Sequence, residues 1–447
     1  MVSTGIIAVD ATILATAVPS VVKDLGGFAQ FPWLFSIYLL AQAVSVPVYA
    51  KLADTYGRKP LMLLGIGLFL LGSVLCGLAW SMPALIIFRA VQGLGAGAVQ
   101  PMSITIAGDI YSVAERAKAQ GYIASVWAVS SVVGPTLGGL FSQLGIWRWI
   151  FFVNVPVCLL AGGLIWRNLH ESVERRQHRI DYLGSVLLTV GMTLVILGVL
   201  EGGQAWAWGS PVGVAVFVVG AALLAGFVAV QRRAAEPVLP LWVLSRRLLL
   251  TSSLLSLGVG AILIGLTSFV PTYLENSLGV TPLVGGLAVA ALTIGWPIAA
   301  TLSGRLLYLR YGFRPTILVG MGFTVAGAVV LAVAGGRPSV AVVAASCFVI
   351  GIGLGLVASP SLIAAQASVD WDQRAVVTGS NLFARSIGSA VGAAIFGAVA
   401  NHVVSASGRP ETDPATATSA GAAVFWAVLV AAVLSIAAGV AMPRVRA

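Results

Sequence analysis

Blocks of about 20 apolar residues recur almost end to end in this chain, and a block of that length is what a helix needs to cross a hydrocarbon layer. They fall at roughly 2–22, 31–50, 60–80, 83–106, 119–142, 148–166, 183–201, 211–230, 248–273, 283–303, 315–335, 339–358, 375–400 and 420–442. In lipid, every backbone N–H and C=O needs a partner within the protein, and a helix finds its partners inside its own segment. Barrel strands alternate apolar and polar residues over about 10 positions, and these blocks do not. Composition agrees. Of the 447 residues 59% are hydrophobic and 9% charged, against about 25% charged in a soluble domain. That excludes a water-soluble enzyme, a nucleic-acid-binding domain and a disordered scaffold. The expected fold is an all-α integral membrane protein with fourteen transmembrane helices and no soluble domain.

The formal net charge of +10 has a place in that scheme. Numbering the blocks as helices 1 to 14, 19 of the 25 Lys and Arg residues lie in the loops after even-numbered helices and in the C-terminal tail. The exceptions are Lys23, Arg148, Arg337 and Arg409 in the opposite loops, and Arg89 and Arg385 inside helices. This is the positive-inside asymmetry. It places both termini in the cytoplasm, orients the protein in a cell (inner) membrane, and leaves no basic surface for nucleic acid. Trp33, Trp80, Trp147, Trp149, Trp206 and Trp208 fall at expected outer helix ends, and Trp166, Trp242 and Trp371 at inner ends, as headgroup-level belts do.

Cys76, Cys158 and Cys347 lie in apolar helices, with no Cys-x-x-Cys pair and no disulfide framework. His170, His178 and His402 are scattered, so no metal site is expected. No Lys or Arg precedes Lys23, and a cleaved signal peptide carries a basic n-region. The first segment therefore reads as a retained helix.

Two charged loops interrupt the pattern. One runs from Arg167 to Arg179; the other runs from Gln231 to Arg247 and contains Pro237 and Pro240. Removing helices 7 and 8 between them leaves six helices on each side, the arrangement of many secondary transporters. The expected division is a six-helix bundle at 1–166, linkers with an inserted helix pair at 167–247, and a second six-helix bundle at 248–447. A repeat supports it: Tyr56-Gly-Arg-Lys-Pro60 before helix 3 and Tyr311-Gly-Phe-Arg-Pro315 before helix 11 share a Tyr-Gly-x-basic-Pro ending.

The segment Ala50-Lys-Leu-Ala-Asp-Thr-Tyr-Gly-Arg-Lys59 resembles the signature loop G-x-L-A-D-R-x-G-R-K of the major facilitator superfamily. Asp54, Gly57, Arg58 and Lys59 match it, while Ala50 and Thr55 depart from it. Arg89-Ala-Val-Gln-Gly-Leu-Gly-Ala96 is similar to the superfamily's helix-4 motif R-x-x-Q-G-x-G-A. Gly121 with Gly134-Pro-Thr-Leu-Gly-Gly139 resembles the helix-5 antiporter motif, with Ser130 where that motif repeats Gly. Asp10-Ala-Thr-Ile13 with Pro19, Trp147 to Pro156, and Gly202-Gly with Trp208-Gly-Ser-Pro211 are similar to the fourteen-helix drug:proton antiporter branch (EmrB/QacA type). The resemblance implies a major facilitator fold with two pseudo-symmetric six-helix bundles and alternating access. It implies no cofactor beyond the proton motive force. That branch usually carries a basic stretch before helix 1, which this chain lacks.

Asp10 lies near the middle of helix 1, where a carboxylate costs about 2.5–3.5 kcal/mol on insertion scales. The resemblance implies an acid that binds a proton or a cationic substrate. Arg89 in helix 4 needs a partner at that depth. Asp10 is the expected one, with Gln92, Gln42 and backbone carbonyls as rivals, and the resemblance links this Arg to proton coupling. Asp54, Gly57, Arg58 and Lys59 are read as a charged latch at the inner face. Gly93/Gly97, Gly134/Gly138 and Gly351/Gly355 are spaced for close helix packing. The resemblance assigns Gly134, Pro135, Gly138 and Gly139 to the seal of the helix-5 interface. Tyr38, Phe88, Gln100, Trp127 and Trp296 are candidate linings of a substrate cavity near the midplane, where aromatic faces attract cations.

No His-Glu-x-x-His, no Gly-x-Ser-x-Gly and no paired intramembrane carboxylates occur, so an enzyme is not expected. The expected protein is a monomeric proton-coupled antiporter in the lipid bilayer. It would export lipophilic cationic drugs; an amphipathic lipid or secondary metabolite is the alternative cargo.

Overall fold

A computed structural model describes residues 1–26, 33–169, 171, 181–202, 206–234, 242–409 and 413–444. Long helices account for almost all of them. The first six are α1 (Val2–Leu25), α2 (Trp33–Tyr56), α3 (Arg58–Gly77), α4 (Met82–Ile110), α5 (Val113–Gln143) and α6 (Asn154–Asn168), the last entered through a short turn at Trp149–Phe152. Next come α7 (Tyr182–Glu201), α8 (Pro211–Gln231), α9 (Arg247–Leu278) and α10 (Pro282–Ser303), which runs on through a π turn at Gly304–Tyr308. The chain closes with α11 (Phe313–Ala334), α12 (Val340–Ala367), α13 (Arg374–Ser407) and α14 (Pro414–Ala441).

Local chemistry sets several of these ends. Ser210 caps α8, accepting the Gly213 N–H at 3.1 Å with Pro211 in the first turn, as an N-cap and a first-turn proline do. Asp181 caps α7 through the Gly184 N–H at 2.7 Å. Its second oxygen accepts from Gln231 Nε2 at 2.6 Å, which ties the start of α7 to the end of α8. Asp413 caps α14, and the backbone N–H and hydroxyl of Thr416 hold its carboxyl below the ordinary range. Gly279, at φ 66°, closes α9 in the left-handed conformation, where glycine bears no Cβ penalty.

The sequence leads to an expectation of fourteen membrane-crossing helices. Among the described residues, twelve helices are long and apolar enough to cross a membrane. Among the described residues, Val2–Leu14 in α1 and Leu183–Val195 in α7 are shorter apolar helical stretches.

The chain forms two compact units that do not follow chain order. The first comprises Met1–Asp109, Val129–Val243 and Asp370–Phe383; the second comprises Ile110–Ala128, Leu244–Val369 and Ala384–Ala447. Thus α5 and α13 each contribute to both, and α7 and α8 belong to the first, where α7 lies against α2. One core of the first unit gathers Leu14, Leu34, Cys76, Met82, Leu85 and Phe151. Trp147 is buried in that core, and its indole N–H donates to Asp24 at 3.1 Å. In the second unit α9, α11, α12 and α14 enclose Leu255, Ile262, Ile317, Cys347 and Phe425. There Tyr273 donates to the Gly335 carbonyl at 2.8 Å and Ser252 to the Ser361 carbonyl at 3.0 Å.

Candidate functional site

The most elaborate polar cluster lies inside the first unit, and close helix packing creates it. A Cβ at Gly72 on α3 would sit 2.6 Å from the Gln92 Cα, and one at Gly93 on α4 would sit 2.5 Å from the Tyr38 carbonyl. A Cβ at Gly95 would sit 2.8 Å from the Phe69 Cα, and one at Gly97 2.7 Å from the Gln42 carbonyl. The glycines of α4 therefore let it approach α2 on one side and α3 on the other, as small residues do in membrane helices.

That approach brings Asp10, Arg89, Gln92, Ser73 and Asn154 together from α1, α4, α3 and α6. The Arg89 guanidinium donates to Asp10 Oδ2 at 2.7 Å, and both side chains are 1% exposed. It also donates to Gln92 Oε1 at 2.6 Å and to the Leu34 carbonyl at 3.2 Å. The rings of Tyr38 and Phe151 lie 4.3 Å and 6.0 Å from it. The other Asp10 oxygen accepts from Gln92 Nε2 at 2.8 Å and Asn154 Nδ2 at 3.1 Å. Gln92 and Asn154 also donate to Ser73 Oγ, at 2.8 Å and 3.3 Å. A buried pair holds when geometry and further hydrogen bonds satisfy both ions, and here they do. Of the rivals for Arg89, Gln92 and a backbone carbonyl join the pair rather than replace it. Gln42 donates to Gln100 instead.

A second charged cluster, also in the first unit, surrounds the start of α3. Arg58 Nε is 3.2 Å from Asp109 Oδ2, and its side chain is 2% exposed. Its guanidinium donates to the Trp371 carbonyl at 2.5 Å and stacks 3.6 Å from the centroid of that indole. Arg374 reaches the other Asp109 oxygen at 3.2 Å. The Arg58 and Lys59 backbone N–H groups donate to the two carboxylate oxygens of Glu171, at 2.9 Å and 3.0 Å. Glu171 is thus the acid at the α3 N-terminus, where the helix dipole favours one. The Asp54 side chain lies outside the described residues.

Sequence reasoning missed Asp109, Glu171, Arg374, Ser73 and Asn154 as site residues. Asp109 carried a usable signal: an acid in the last turn of α4 faces the negative end of the helix dipole and so calls for basic partners. Ser73 and Asn154 carried none, since neutral polar residues are common in helices.

The other expected residues are more dispersed. Gly134 on α5 sits against α1, where its Cβ would lie 3.0 Å from the Ile13 backbone N, and Thr12 of α1 donates to the Ser130 carbonyl at 2.9 Å. Gly138 is buried, and a Cβ at Gly139 would meet nothing within 4 Å. The Pro135 side chain lies outside the described residues, as do His170, His178, Pro237 and Pro240 entirely. Tyr38 is buried beneath Arg89, and Phe88, partly exposed, packs edge-on against Trp80 at 5.7 Å. Trp127 is partly exposed in the second unit, as is Trp296, which lies 5.6 Å from the Arg385 guanidinium.

A family model described as the Major Facilitator Superfamily matches residues 1–393. Multidrug resistance protein 3 of Bacillus subtilis (strain 168) is 34% identical over 398 residues, covering 89% of this chain and 77% of that protein. Efflux pump FUS6 of Gibberella moniliformis is 32% identical over 419 residues, covering 90% and 73%. Among solved structures, the human organic anion transporter MFSD10 (TETRAN) aligns with a TM-score of 0.66 at 15% identity, covering 96% of this chain and 97% of that one. At that identity the likeness concerns the fold.

Proposed function

Because the chain belongs to the major facilitator superfamily, we propose that it is a proton-coupled antiporter that exports lipophilic small molecules by alternating access. The named multidrug and efflux relatives support export. The single observation that carries coupling is the buried Asp10–Arg89 pair with its ring of donors. With both groups charged the cluster is neutral. Adding a proton to Asp10 would leave Arg89 buried without its counter-ion, and losing one partner of such a pair costs about 3–5 kcal/mol. Swinging a two-state equilibrium from 1:99 to 99:1 takes about 5.5 kcal/mol. One proton at this position therefore acts on the scale of a conformational switch.

In this reading Asp10 carries the proton. The expectation of a cationic cargo rested on the Asp10 carboxylate together with an aromatic cavity, and both Asp10 oxygens are engaged by Arg89, Gln92 and Asn154. The Arg58–Asp109–Arg374 cluster is the latch, on the cytoplasmic side that the basic loops mark. Helices α1 and α7, with 24 and 20 residues, reach about 30 Å or more at 1.5 Å per residue. We count them as spans, which gives the fourteen-helix antiporter form.

The test is dissipation of a pH gradient in proteoliposomes holding the full chain, on adding a panel of lipophilic cations, neutral compounds and acids. Substrate-dependent proton movement that Asp10→Asn abolishes is the expected result. Movement that survives Asp10→Asn keeps the antiporter and removes Asp10 from coupling. No movement with any compound, from protein that elutes as a single folded species, overturns the reading.

A further inference from the structure

The second unit holds one ion well inside a membrane-spanning helix among its described residues, and that ion is Arg385 on α13. Arg89 shows what a settled guanidinium looks like at such a depth: a carboxylate, an amide oxygen, a backbone carbonyl and two aromatic faces surround it. Arg385 has the Trp296 ring, 5.6 Å from its guanidinium carbon, and its buried Nε meets no hydrogen-bond acceptor. Among the described residues no acid pairs with it: Glu275, the carboxylate of α9, lies three residues from the end of that helix, Glu115 at the start of α5 is held by Ser112, and α10, α11, α12 and α14 contain none. A guanidinium presents five N–H donors and no acceptor, and an unaccompanied one in a membrane is costly.

The side chain is also rigidly mounted. A Cβ at Gly388 would lie 2.8 Å from the Leu257 Cα, and one at Gly392 would lie 2.7 Å from the Ala261 Cα. Ser389 donates to the Gly260 carbonyl at 3.1 Å, so α13 is pinned to α9 through the two turns that follow Arg385. Trp296 is equally held, since a Cβ at Gly355 of α12 would come within 2.5 Å of its carbonyl. Arg385 is nevertheless partly exposed. A fixed, partly exposed cation on an aromatic plate lacks only an acceptor, and the described residues supply none to its Nε.

We propose that Arg385, with Trp296, is the seat for an oxyanion on a lipophilic body, and that the exported molecules include amphiphiles with such a group. The guanidinium pairs with the oxyanion through charge-assisted hydrogen bonds, and Trp296 covers the apolar part beside it. This assignment names the cargo class and rests on the exporter reading above.

The experiment reconstitutes the full chain in proteoliposomes and follows three probes that share one aromatic body: an arylsulfonate, its uncharged sulfonamide and a quaternary ammonium analogue. The readout is the ratio of sulfonate to sulfonamide initial rates, which cancels differences in folded protein. In the wild type the sulfonate is carried, Arg385→Gln lowers the ratio about tenfold or more, and Arg385→Lys restores part of it. An unchanged ratio in Arg385→Gln overturns the site. So does a wild type that moves the ammonium or the sulfonamide with protons but refuses the sulfonate, a result that leaves the exporter reading standing. Failure to move any probe or any proton overturns both. Liposomes of phosphatidylcholine alone are compared with liposomes containing phosphatidylglycerol. An Arg385→Gln effect confined to the latter would mean a lipid phosphate occupies the seat, and would overturn the cargo assignment.

Discussion

Asp10 and Arg89 are each intolerable alone and neutral together, which is why their energetics must be tested as a pair. Arg89→Gln leaves a buried carboxylate with only the amides of Gln92 and Asn154 as donors. We expect it to destabilise the protein by about 3–5 kcal/mol. The double variant Asp10→Asn with Arg89→Gln removes both charges and should lose less than the two single variants added together. Chemical denaturation in detergent across the four proteins measures this; strict additivity would show that the two residues do not act as a unit. The ions themselves were readable in the chain, because charge inside an apolar block stands out. Their neutral partners were not. Whether Asn154 meets Asp10, and Ser73 meets Gln92, depends on the rotation of α3 and α6 about their axes, and the apolar pattern of a membrane helix records that only weakly.

Helix contacts in this fold are made by backbone meeting backbone, so glycines of one motif class divide into those that fill a contact and those that do not. At Gly95 an added methyl would meet the Phe69 Cα at 2.8 Å and the Gly65 carbonyl at 2.7 Å. These are backbone atoms that cannot turn aside. Gly95→Ala should cost about 1–3 kcal/mol by overpacking. At Gly139 the same methyl meets nothing within 4 Å, and Gly139→Ala should stay within about 0.5 kcal/mol of the parent. Thermal melting of both variants in one detergent decides it, and equal losses would refute the contact picture. Spacing alone identified Gly93 and Gly97 as packing residues. It could not separate Gly134, which lies against α1, from Gly139, which has free space beside it.

Across the whole chain, the repeat seen in the sequence returns as backbone geometry. Gly57 has φ 98° and ψ 158°, and Gly312 has φ 89° and ψ 170°. Each donates its N–H four residues back, to Ala53 at 3.0 Å and Tyr308 at 2.9 Å, and each starts a new helix. That region of conformational space is essentially reserved for glycine. Gly57→Ala and Gly312→Ala should therefore each cost about 1–3 kcal/mol, with similar losses in thermal melting. A large loss at one and none at the other would mean the two turns are not equivalent. Distant parts of the chain also share a unit: Asp370–Phe383, with Trp371 and Arg374, belong with Arg58 and Asp109, whereas α13 from Ala384 onward does not.

Membrane residence, the helical class, the approximate span of each helix and the two intramembrane ions of greatest interest were all legible in one dimension. They follow from apolar block length, from the cost of charge in lipid and from glycine spacing, none of which needs a partner to be defined. Tertiary structure alone decided who meets whom. It placed Asp109 and Glu171 around Arg58, buried Tyr38 beneath Arg89, and showed Arg89 satisfied while Arg385 is not. The reason is physical. Pairing energy depends on distances of a few ångströms between side chains on different helices, and those distances are set by how closely glycine-bearing backbones approach and by how each helix is rotated.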